Sequence, residues 1–255
     1  MNVDGKTILV TGANSGLGAG VASRLASEGA NILGLDINDS NAAEFSDRFG
    51  KQIVLLKTDV TSDADGIAAI KAAKASFGGI DGLVNCAGIA PGEKIVGRSG
   101  PHDLDLFTRA VSINLIGTFN MMRLAADAMG QNAPGPDGER GVIINTASVA
   151  AFEGQIGQAA YAASKGGVVS LTLPAAREFA RSGIRVMAIA PGIFETPMMA
   201  GLPQEVQDSL GAKVPFPSRL GRASEFADLV ISIFGNPMLN GEVIRLDGAL
   251  RMTAK

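Results

Sequence analysis

Three side chains of this sequence have the residue types and spacing of a proton-transfer site. Tyr161, the only tyrosine, is followed one helical turn later by Lys165. Ser148 lies upstream, just after an apolar run (Val142–Thr146) that predicts a buried strand. A free phenol has a pKa near ~10, too high for a base at neutral pH. A cation about 4 Å away contributes roughly 4 kcal/mol at an effective dielectric of ~20. At ~1.36 kcal/mol per pKa unit, we expect Lys165 to lower the pKa of Tyr161 to about 7.

Taken alone, a tyrosine and a lysine at this spacing are more often an ordinary pair on an exposed helix face. The proton-transfer interpretation therefore depends on two further features. The chain must supply a cofactor site, and its secondary structure must bring Ser148 to Tyr161.

A glycine-rich turn follows the first predicted strand and opens the first predicted helix, with the sequence Thr11-Gly-Ala-Asn-Ser-Gly-Leu-Gly18. Glycines let the backbone turn sharply and approach a pyrophosphate, and a helix N-terminus offers free amides and the positive end of the helix dipole. We interpret this turn as a dinucleotide-binding site. Its predicted contacts are Gly12, Ser15, Gly16, Leu17 and Gly18.

An acidic residue, Asp36, ends the second predicted strand. Its carboxylate would accept hydrogen bonds from the adenosine ribose and repel a 2′-phosphate. Neither Ser15 nor Ile37, where a phosphate-binding arginine would be expected, is basic. The sequence therefore predicts NAD in preference to NADP, and the alternative role for Asp36 is that of a capping or turn residue.

Two further strand ends supply candidate cofactor contacts. Asp59 and Val60 follow the third strand and are predicted to hold the adenine edge, although a lone aspartate here is more often a helix N-cap. Cys86, Ala87 and Gly88 follow the fourth strand, and their small size would let a cofactor lie close. Cys86 is predicted to be a wall residue without a redox role, because the chain has no second cysteine.

The elements that must position these residues alternate along the chain. Strands are predicted at 7–10, 31–35, 53–57, 82–85, 142–146, 185–189 and 242–246. Helices are predicted at 16–28, 39–49, 62–76, 104–129, 158–181 and 224–235, and irregular structure at 86–103, 130–141 and 191–223. The pattern predicts a single-domain α/β fold over 1–255, a Rossmann-type doubly wound parallel sheet with helices on both faces. The dinucleotide-binding half would span about 1–140 and the catalytic and substrate half about 141–255. The candidate residues follow strand C-termini, where such sheets bind ligands.

Composition excludes several other classes of protein. The net charge is −3, and no cluster of Lys and Arg suggests a nucleic-acid or anionic-membrane partner. No apolar stretch approaches the ~18 residues of a membrane span. With one cysteine and one histidine, the chain has few ligands for a zinc site, and we predict no metal. The first residues lead directly into a strand without a signal segment, so a cytoplasmic location is expected.

At this point the sequence resembles the short-chain dehydrogenase/reductase family over essentially its whole length. The resemblance is carried by Thr11-Gly-x-x-x-Gly-x-Gly18, Asn85-x-Ala-Gly88, Asn114, Ser148, Tyr161-x-x-x-Lys165 and Pro191-Gly192. Cys86 departs from the family pattern, which usually has a second Asn there. Closer similarity is to the branch of type-2 3-hydroxyacyl-CoA dehydrogenases, also called 17β-hydroxysteroid dehydrogenases type 10. It lies in 141–155, 157–161, Met129–Asn132, 214–221 and 240–248.

The resemblance implies an enzyme and a role for each matching residue. Ser148 and Tyr161 would hold the substrate hydroxyl, Lys165 would lower the phenol pKa and bind the nicotinamide ribose, and Asn114 would hold a water linked to Lys165. An alternative for Asn114 is a bond to helix backbone. Further cofactor contacts would come from Tyr161, Pro191, Phe194 and Thr196, and Gln155 would line the substrate side.

The function implied is NAD-dependent oxidation of the 3-hydroxyl of a 3-hydroxyacyl-CoA, straight or 2-methyl branched, in fatty acid or branched-chain amino acid degradation. The implied assembly is a homotetramer. One alternative is oxidation of another secondary alcohol, a steroid or an acyl-carrier substrate on the same scaffold. A different class would be a non-catalytic NAD-binding sensor or scaffold, which would need none of the four catalytic residues.

Overall fold

The structure is a computed structural model and describes residues 1–196, 199 and 203–254. Its strands are β1 (Thr7–Thr11), β2 (Asn31–Asp36), β3 (Ile53–Lys57), β4 (Gly82–Asn85), β5 (Val96–Gly97), β6 (Gly100–Pro101), β7 (Gly141–Thr146), β8 (Ile184–Pro191) and β9 (Val243–Leu246). Its α-helices are α1 (Gly16–Ser27), α2 (Ala42–Phe49), α3 (Asp63–Phe77), α4 (Leu104–Val111), α5 (Thr118–Met129), α6 (Ala159–Phe179), α7 (Gln204–Ala212) and α8 (Ala223–Gly235).

Seven strands form one parallel sheet in the order β3-β2-β1-β4-β7-β8-β9. The order reverses between β1 and β4, and such a switch point opens a crevice at the carboxyl ends of the strands. The register brings those ends level, because Thr11 pairs with Asn85 and Asn85 pairs with Asn145. Residues from both predicted halves of the chain therefore meet at one edge of the sheet.

Helices cover both faces of the sheet, and successive strand residues enter opposite cores. In β1, Ile8 and Val10 belong to one core together with residues of α1 and α8. Leu9 between them belongs to the other, together with residues of α3 and α5. Helices α1 and α8 lie so close that a Cβ on Gly20 would come within 2.7 Å of the Ala223 Cβ. This double covering explains why the strands read as continuous apolar runs.

The predicted fold class is confirmed: the chain forms a Rossmann-like parallel sheet with helices on both faces. Every predicted strand is present within a few residues of its predicted bounds. Among the described residues, no helix combines the length and apolar character that a membrane crossing needs.

The predicted helix at 104–129 is wrong in one respect, because it is not uniform. A π-helical segment, Ser112–Gly117, separates α4 from α5. Gly117 packs against Val60, and an added Cβ would lie 2.6 Å from the valine Cγ2 atom. Within the segment Asn114 is fully buried and held by backbone outside the helix. Sequence periodicity does not reveal these tertiary contacts.

Two stretches predicted to be irregular contain short regular elements. Helix α7 lies within 191–223, and the small antiparallel pair of β5 and β6 lies within 86–103. The sequence of α7, Gln-Glu-Val-Gln-Asp-Ser-Leu-Gly-Ala, has few apolar residues and therefore shows little of the period that marks a helix against a core.

Candidate active site

A cavity of about 1060 Å³ opens at the carboxyl ends of the strands. Of the predicted site residues, only Asn114 is absent from its lining, and it lies behind the wall. The cavity wall includes the predicted residues Gly12, Ser15, Gly16, Leu17, Gly18, Asp36, Asp59, Val60, Cys86, Ala87, Gly88, Ser148, Gln155, Tyr161, Lys165, Pro191, Phe194 and Thr196. The fold therefore gathers residues that are far apart in sequence around one space.

The glycine turn between β1 and α1 has no room for side chains at two positions. Gly12 has a φ of +66°, and an added Cβ would lie 2.8 Å from the Ala87 backbone nitrogen. A Cβ on Gly18 would lie 2.1 Å from the Gly12 carbonyl oxygen. Helix α1 begins at Gly16, and the Ser15 side chain makes no capping hydrogen bond. The first amides of α1 therefore remain available to an anion in the cavity.

Asp36 braces this turn and also lines the cavity. One carboxylate oxygen accepts a hydrogen bond from the Asn14 backbone nitrogen at 3.0 Å, and the other accepts from the Asn38 backbone nitrogen at 3.1 Å. The Asn14 side chain in turn accepts from the Asn41 backbone nitrogen at 2.9 Å. Asp36 therefore bonds the backbone of the turn and at the same time faces the cavity, where it could contact a ligand.

Asp59 is not the N-cap of α3. Ser62 occupies that position and accepts a hydrogen bond from the Asp65 backbone nitrogen at 3.2 Å. The Asp59 carboxylate instead accepts from the Thr61 backbone nitrogen at 2.9 Å and from the Thr61 hydroxyl at 2.7 Å. This local turn holds Asp59 and Val60 on the cavity wall.

Ser148 and Tyr161 both line the cavity, and their side chains lie close to each other. Ser148 follows β7, and its hydroxyl accepts a hydrogen bond from the Ala150 backbone nitrogen at 3.1 Å. Tyr161 lies in the first turn of α6. Burial of the phenol raises the pKa of Tyr161, while its hydrogen bond with Ser148 acts in the opposite direction and lowers it. The larger effect is that of burial, so the pKa lies above its ordinary value.

The expectation that Lys165 lowers the phenol pKa is wrong for this structure. The Lys165 ammonium lies 5.9 Å from the centroid of the Tyr161 ring and donates a hydrogen bond to the Thr146 carbonyl oxygen at 2.6 Å. Only 4% of Lys165 is exposed, and this burial lowers its own pKa to about 8. The i, i+4 spacing places the two side chains near each other, and the hydrogen bond of the ammonium goes to the Thr146 carbonyl. The alternative of an exposed surface pair is also wrong.

Asn114 anchors the helix of the π segment to the loop after β4. Its Oδ1 atom accepts from the Ile89 backbone nitrogen at 2.8 Å, and its Nδ2 atom donates to the Ile89 carbonyl at 2.8 Å. The same Nδ2 atom donates to the Ser164 hydroxyl at 2.9 Å, and that hydroxyl donates to the Tyr161 carbonyl at 2.8 Å. The backbone that Asn114 bonds is that of Ile89, which belongs to a loop and not to the helix that carries Asn114. A Cβ on Gly88 would lie 3.0 Å from the Asn114 oxygen and 3.5 Å from the Lys165 ammonium.

Ser164 is a functional candidate that the sequence analysis missed. It is fully buried and joins Asn114 to the helix that carries Tyr161 and Lys165. A serine in mid-helix that bonds a preceding carbonyl is common and carries no signal by itself. Only the contact with Asn114, distant in sequence, distinguishes it.

Cys86 lies on the cavity wall with its sulfur 3.7 Å from the Thr146 hydroxyl. Burial raises the pKa of its thiol to about 11. The reactive thiolate form is therefore disfavoured at neutral pH, in keeping with a wall residue.

The wall of the cavity also has apolar residues. Met199, Leu210 and Met252 line it together with Gln155, and the sequence analysis singled out neither Leu210 nor Met252. The Gln155 side chain donates to the Thr253 carbonyl at 3.1 Å and so ties this wall to the C-terminal segment.

Comparisons with known proteins agree with this geometry. The sequence profile described as short chain dehydrogenase matches residues 6–207. The 3-hydroxyacyl-CoA dehydrogenase type-2 of Homo sapiens is 53% identical over 253 residues, which cover 98% of this chain and 97% of that protein. The ipsdienol dehydrogenase of Ips pini is 36% identical over 255 residues, which cover 98% and 99%. A crystal structure of 3-hydroxyacyl-CoA dehydrogenase type-2 from Mycobacterium avium superposes with a TM-score of 0.93 at 40% identity and covers 98% of this chain and 97% of its own.

Proposed function

The chain belongs to the short-chain dehydrogenase family, and from this premise we propose that it is an NAD-dependent 3-hydroxyacyl-CoA dehydrogenase. The observation that carries the proposal is one cavity whose wall includes Ser148, Tyr161 and the glycine turn. Relatives more than half identical over nearly the whole chain carry the name of this activity. The substrate is a 3-hydroxyacyl-CoA, straight or 2-methyl branched.

The residues present fit a dinucleotide. Gly12 and Gly18 leave a cradle that any side chain would fill, and the N-terminus of α1 supplies the amides for a pyrophosphate. Asp36 would meet the adenosine ribose, and Asp59 and Val60 the adenine edge. The nicotinamide end would be held by Lys165, Pro191, Phe194 and Thr196. When bound, NAD supplies the acceptor for the hydride that leaves C3 of the substrate.

The chain's own residues handle the proton and the oxygen. The ionised Tyr161 phenol accepts the proton of the 3-hydroxyl as the C3 hydrogen leaves with its electron pair, and a ketone forms. The Ser148 hydroxyl donates a hydrogen bond to the oxygen on which the carbonyl develops. The buried Lys165 side chain, fixed by the Thr146 carbonyl, places positive charge close to the site while it is protonated, below its pKa of about 8.

The raised pKa of Tyr161 predicts how activity depends on pH. Oxidation needs the phenolate, so its rate should rise with pH above neutrality, whereas reduction of the ketone uses the protonated phenol and should persist at neutral pH. Because the Ser148 hydrogen bond lowers this pKa, Ser148→Ala should move the rising limb of the oxidation profile to higher pH and reduce turnover by about 10²-fold. The measurement is kcat against pH, with Ser232→Ala as control, because Ser232 is an exposed residue of α8. If the rising limb of the oxidation profile stays at the same pH in Ser148→Ala, the role given to Ser148 is contradicted.

The choice of NAD depends on the charge of Asp36. Asp36→Asn keeps one acceptor for the turn amides but removes the charge that repels a 2′-phosphate. We expect the ratio of kcat/KM for NAD to that for NADP to fall by about 10- to 100-fold, since hydrogen bonds to a charged group contribute roughly 1.5–3 kcal/mol. Asp39→Asn, an exposed neighbour, is the matched control. Equal ratios in the two variants would show that Asp36 does not select the cofactor.

The proposal is tested by NADH formation with purified protein, NAD and a panel of straight and 2-methyl-branched 3-hydroxyacyl-CoA esters. NADP, a hydroxysteroid and a terpene alcohol are the comparison arms, the last because of the similarity to an ipsdienol dehydrogenase. Turnover of CoA esters well above the other arms supports the proposal. Turnover confined to alcohols without CoA would make the chain a dehydrogenase of another secondary alcohol. Cofactor binding without turnover would favour a sensor or scaffold.

A homotetramer and a cytoplasmic location are part of the same proposal. Support for assembly comes from apolar side chains exposed on neighbouring helices: Ile116 in the π segment, Phe119 in α5 and Leu173 in α6, which are 51%, 47% and 43% exposed. Single apolar residues are common on surfaces, so the measurement that decides is sedimentation equilibrium of the purified chain. Cell fractionation checks the location.

A further inference from the structure

The C-terminal segment Leu250–Ala254 lies along the loop that follows Ser148. The Gln155 side chain donates to the Thr253 carbonyl at 3.1 Å, and the Ile156 backbone nitrogen donates to the Ala254 carbonyl at 3.0 Å. These bonds join residues almost a hundred positions apart in sequence. The segment is therefore attached to the loop that forms the substrate end of the cavity.

Glu153 is the centre of this attachment. Its carboxylate accepts two hydrogen bonds from the Arg245 guanidinium, at 2.9 and 3.2 Å, and a third from the Met252 backbone nitrogen at 2.9 Å. Arg245 also donates to the Leu250 carbonyl at 3.1 Å and to Asp247 at 2.7 Å. A paired guanidinium and carboxylate fix each other's direction as well as their distance. The Glu153 and Arg245 side chains thus hold the segment at two backbone groups, the Met252 amide and the Leu250 carbonyl.

This attachment directs Met252 to the cavity. Met252 is partly buried and lines the same space as Ser148 and Tyr161, and Met199 and Leu210 line that space too. All three side chains are apolar and unbranched at Cβ, and methionine adapts to irregular hydrophobic shapes. A ligand group that fits against them is a hydrocarbon chain.

We propose that the segment Leu250–Ala254, fixed by Glu153, is the wall that limits the length of the substrate's acyl chain, and that Met252 is a specificity-determining residue. The inference rests on the proposed function, since it assigns the acyl end of that substrate to this wall. Glu153 is a positioning residue that acts through the backbone of Met252.

The first experiment changes the size of the side chain at the wall. Met252→Ala should raise the ratio of kcat/KM for long over short straight-chain 3-hydroxyacyl-CoA esters by about tenfold, and Met252→Phe should lower it by a similar factor, as expected when a pocket gains or loses methylene-sized space. Met238→Ala is the matched control, because Met238 is 89% exposed and does not line the cavity.

The outcomes separate the inference from the function on which it rests. One outcome is that the wild-type protein turns over CoA esters while the ratio of kcat/KM for long over short esters is the same in all variants. That result overturns the inference and leaves the proposed function intact. Absence of turnover of any CoA ester by the wild-type protein overturns both. Opposite shifts of the ratio in Met252→Ala and Met252→Phe support the inference.

The second experiment removes the negative charge of Glu153 and keeps the size and shape of its side chain. Glu153→Gln should speed hydrogen exchange of the amides at 250–254 about tenfold or more, because a charged partner of the Met252 amide is lost. It should also weaken the discrimination between acyl lengths without changing NAD binding. Glu44→Gln, exposed on α2, is the control. Unchanged exchange and unchanged discrimination in Glu153→Gln would show that the segment does not depend on this carboxylate.

Discussion

Tyr161→Phe is expected to reduce turnover by about 10²- to 10⁴-fold, the range over which a positioned acid or base accelerates proton transfer. The change removes one hydroxyl and keeps the ring, so packing at the start of α6 should be preserved. The hydrogen bond with Ser148 contributes only about 1 kcal/mol of stability. NAD binding should remain because the glycine turn between β1 and α1, which would hold the pyrophosphate, does not include Tyr161.

The measurement is single-turnover oxidation of a 3-hydroxyacyl-CoA together with the NADH dissociation constant and the thermal unfolding midpoint. A loss of turnover with an unchanged dissociation constant assigns Tyr161 to the chemical step. Retention of near wild-type turnover would remove Tyr161 from the mechanism. Loss of cofactor binding as well would indicate that the substitution disturbs the wall.

Gly18→Ala should nearly abolish NAD binding. The added Cβ would lie 2.1 Å from the Gly12 carbonyl oxygen and 2.6 Å from its carbon. Both are backbone atoms, so the turn or the start of α1 must shift. Overpacking of this kind destabilises by roughly 1–3 kcal/mol, and the shift moves the amides that face the pyrophosphate.

NAD binding by titration calorimetry and unfolding in urea provide the measurements for this variant. Gly235→Ala is the matched control, since that glycine also lies in a helix and an added Cβ would meet no atom within 4 Å. Binding by Gly18→Ala equal to that of the control would mean that the turn relaxes without affecting the ligand, contrary to the rigidity that we infer.

The fold was largely predictable because its signals are local. Apolar runs such as Val142–Thr146 mark strands covered on both faces, and the glycines between β1 and α1 mark a turn that few other residues allow. The parallel order of the strands then places their ends together. The sequence alone therefore predicts that the candidate residues gather around one crevice, while the roles of those residues stay predictions.

What could not be predicted depends on contacts between distant segments. The direction of the Lys165 ammonium is decided by the Thr146 carbonyl, and the pKa of Tyr161 by how much water its surroundings exclude. Ser164 gains its importance only through Asn114. Met252 lines the cavity, and its backbone amide donates to Glu153, which lies 99 positions earlier in the sequence. None of these effects leaves a periodic trace in the sequence.

The π segment Ser112–Gly117 has a consequence for how related chains can differ in length. Such a segment behaves as a single extra residue inside a helix, and it is often retained where a functional group must be directed out of the regular pattern. Deleting one residue here would let a regular helical turn close, with α4 and α5 kept in nearly the same phase, because the wide turn is what accommodates the extra residue. The position of Asn114 would be lost instead, since it lies within the segment and bonds the backbone of Ile89. A chain one residue shorter here should therefore keep its helices and its sheet but lose the link between Asn114 and the loop after β4.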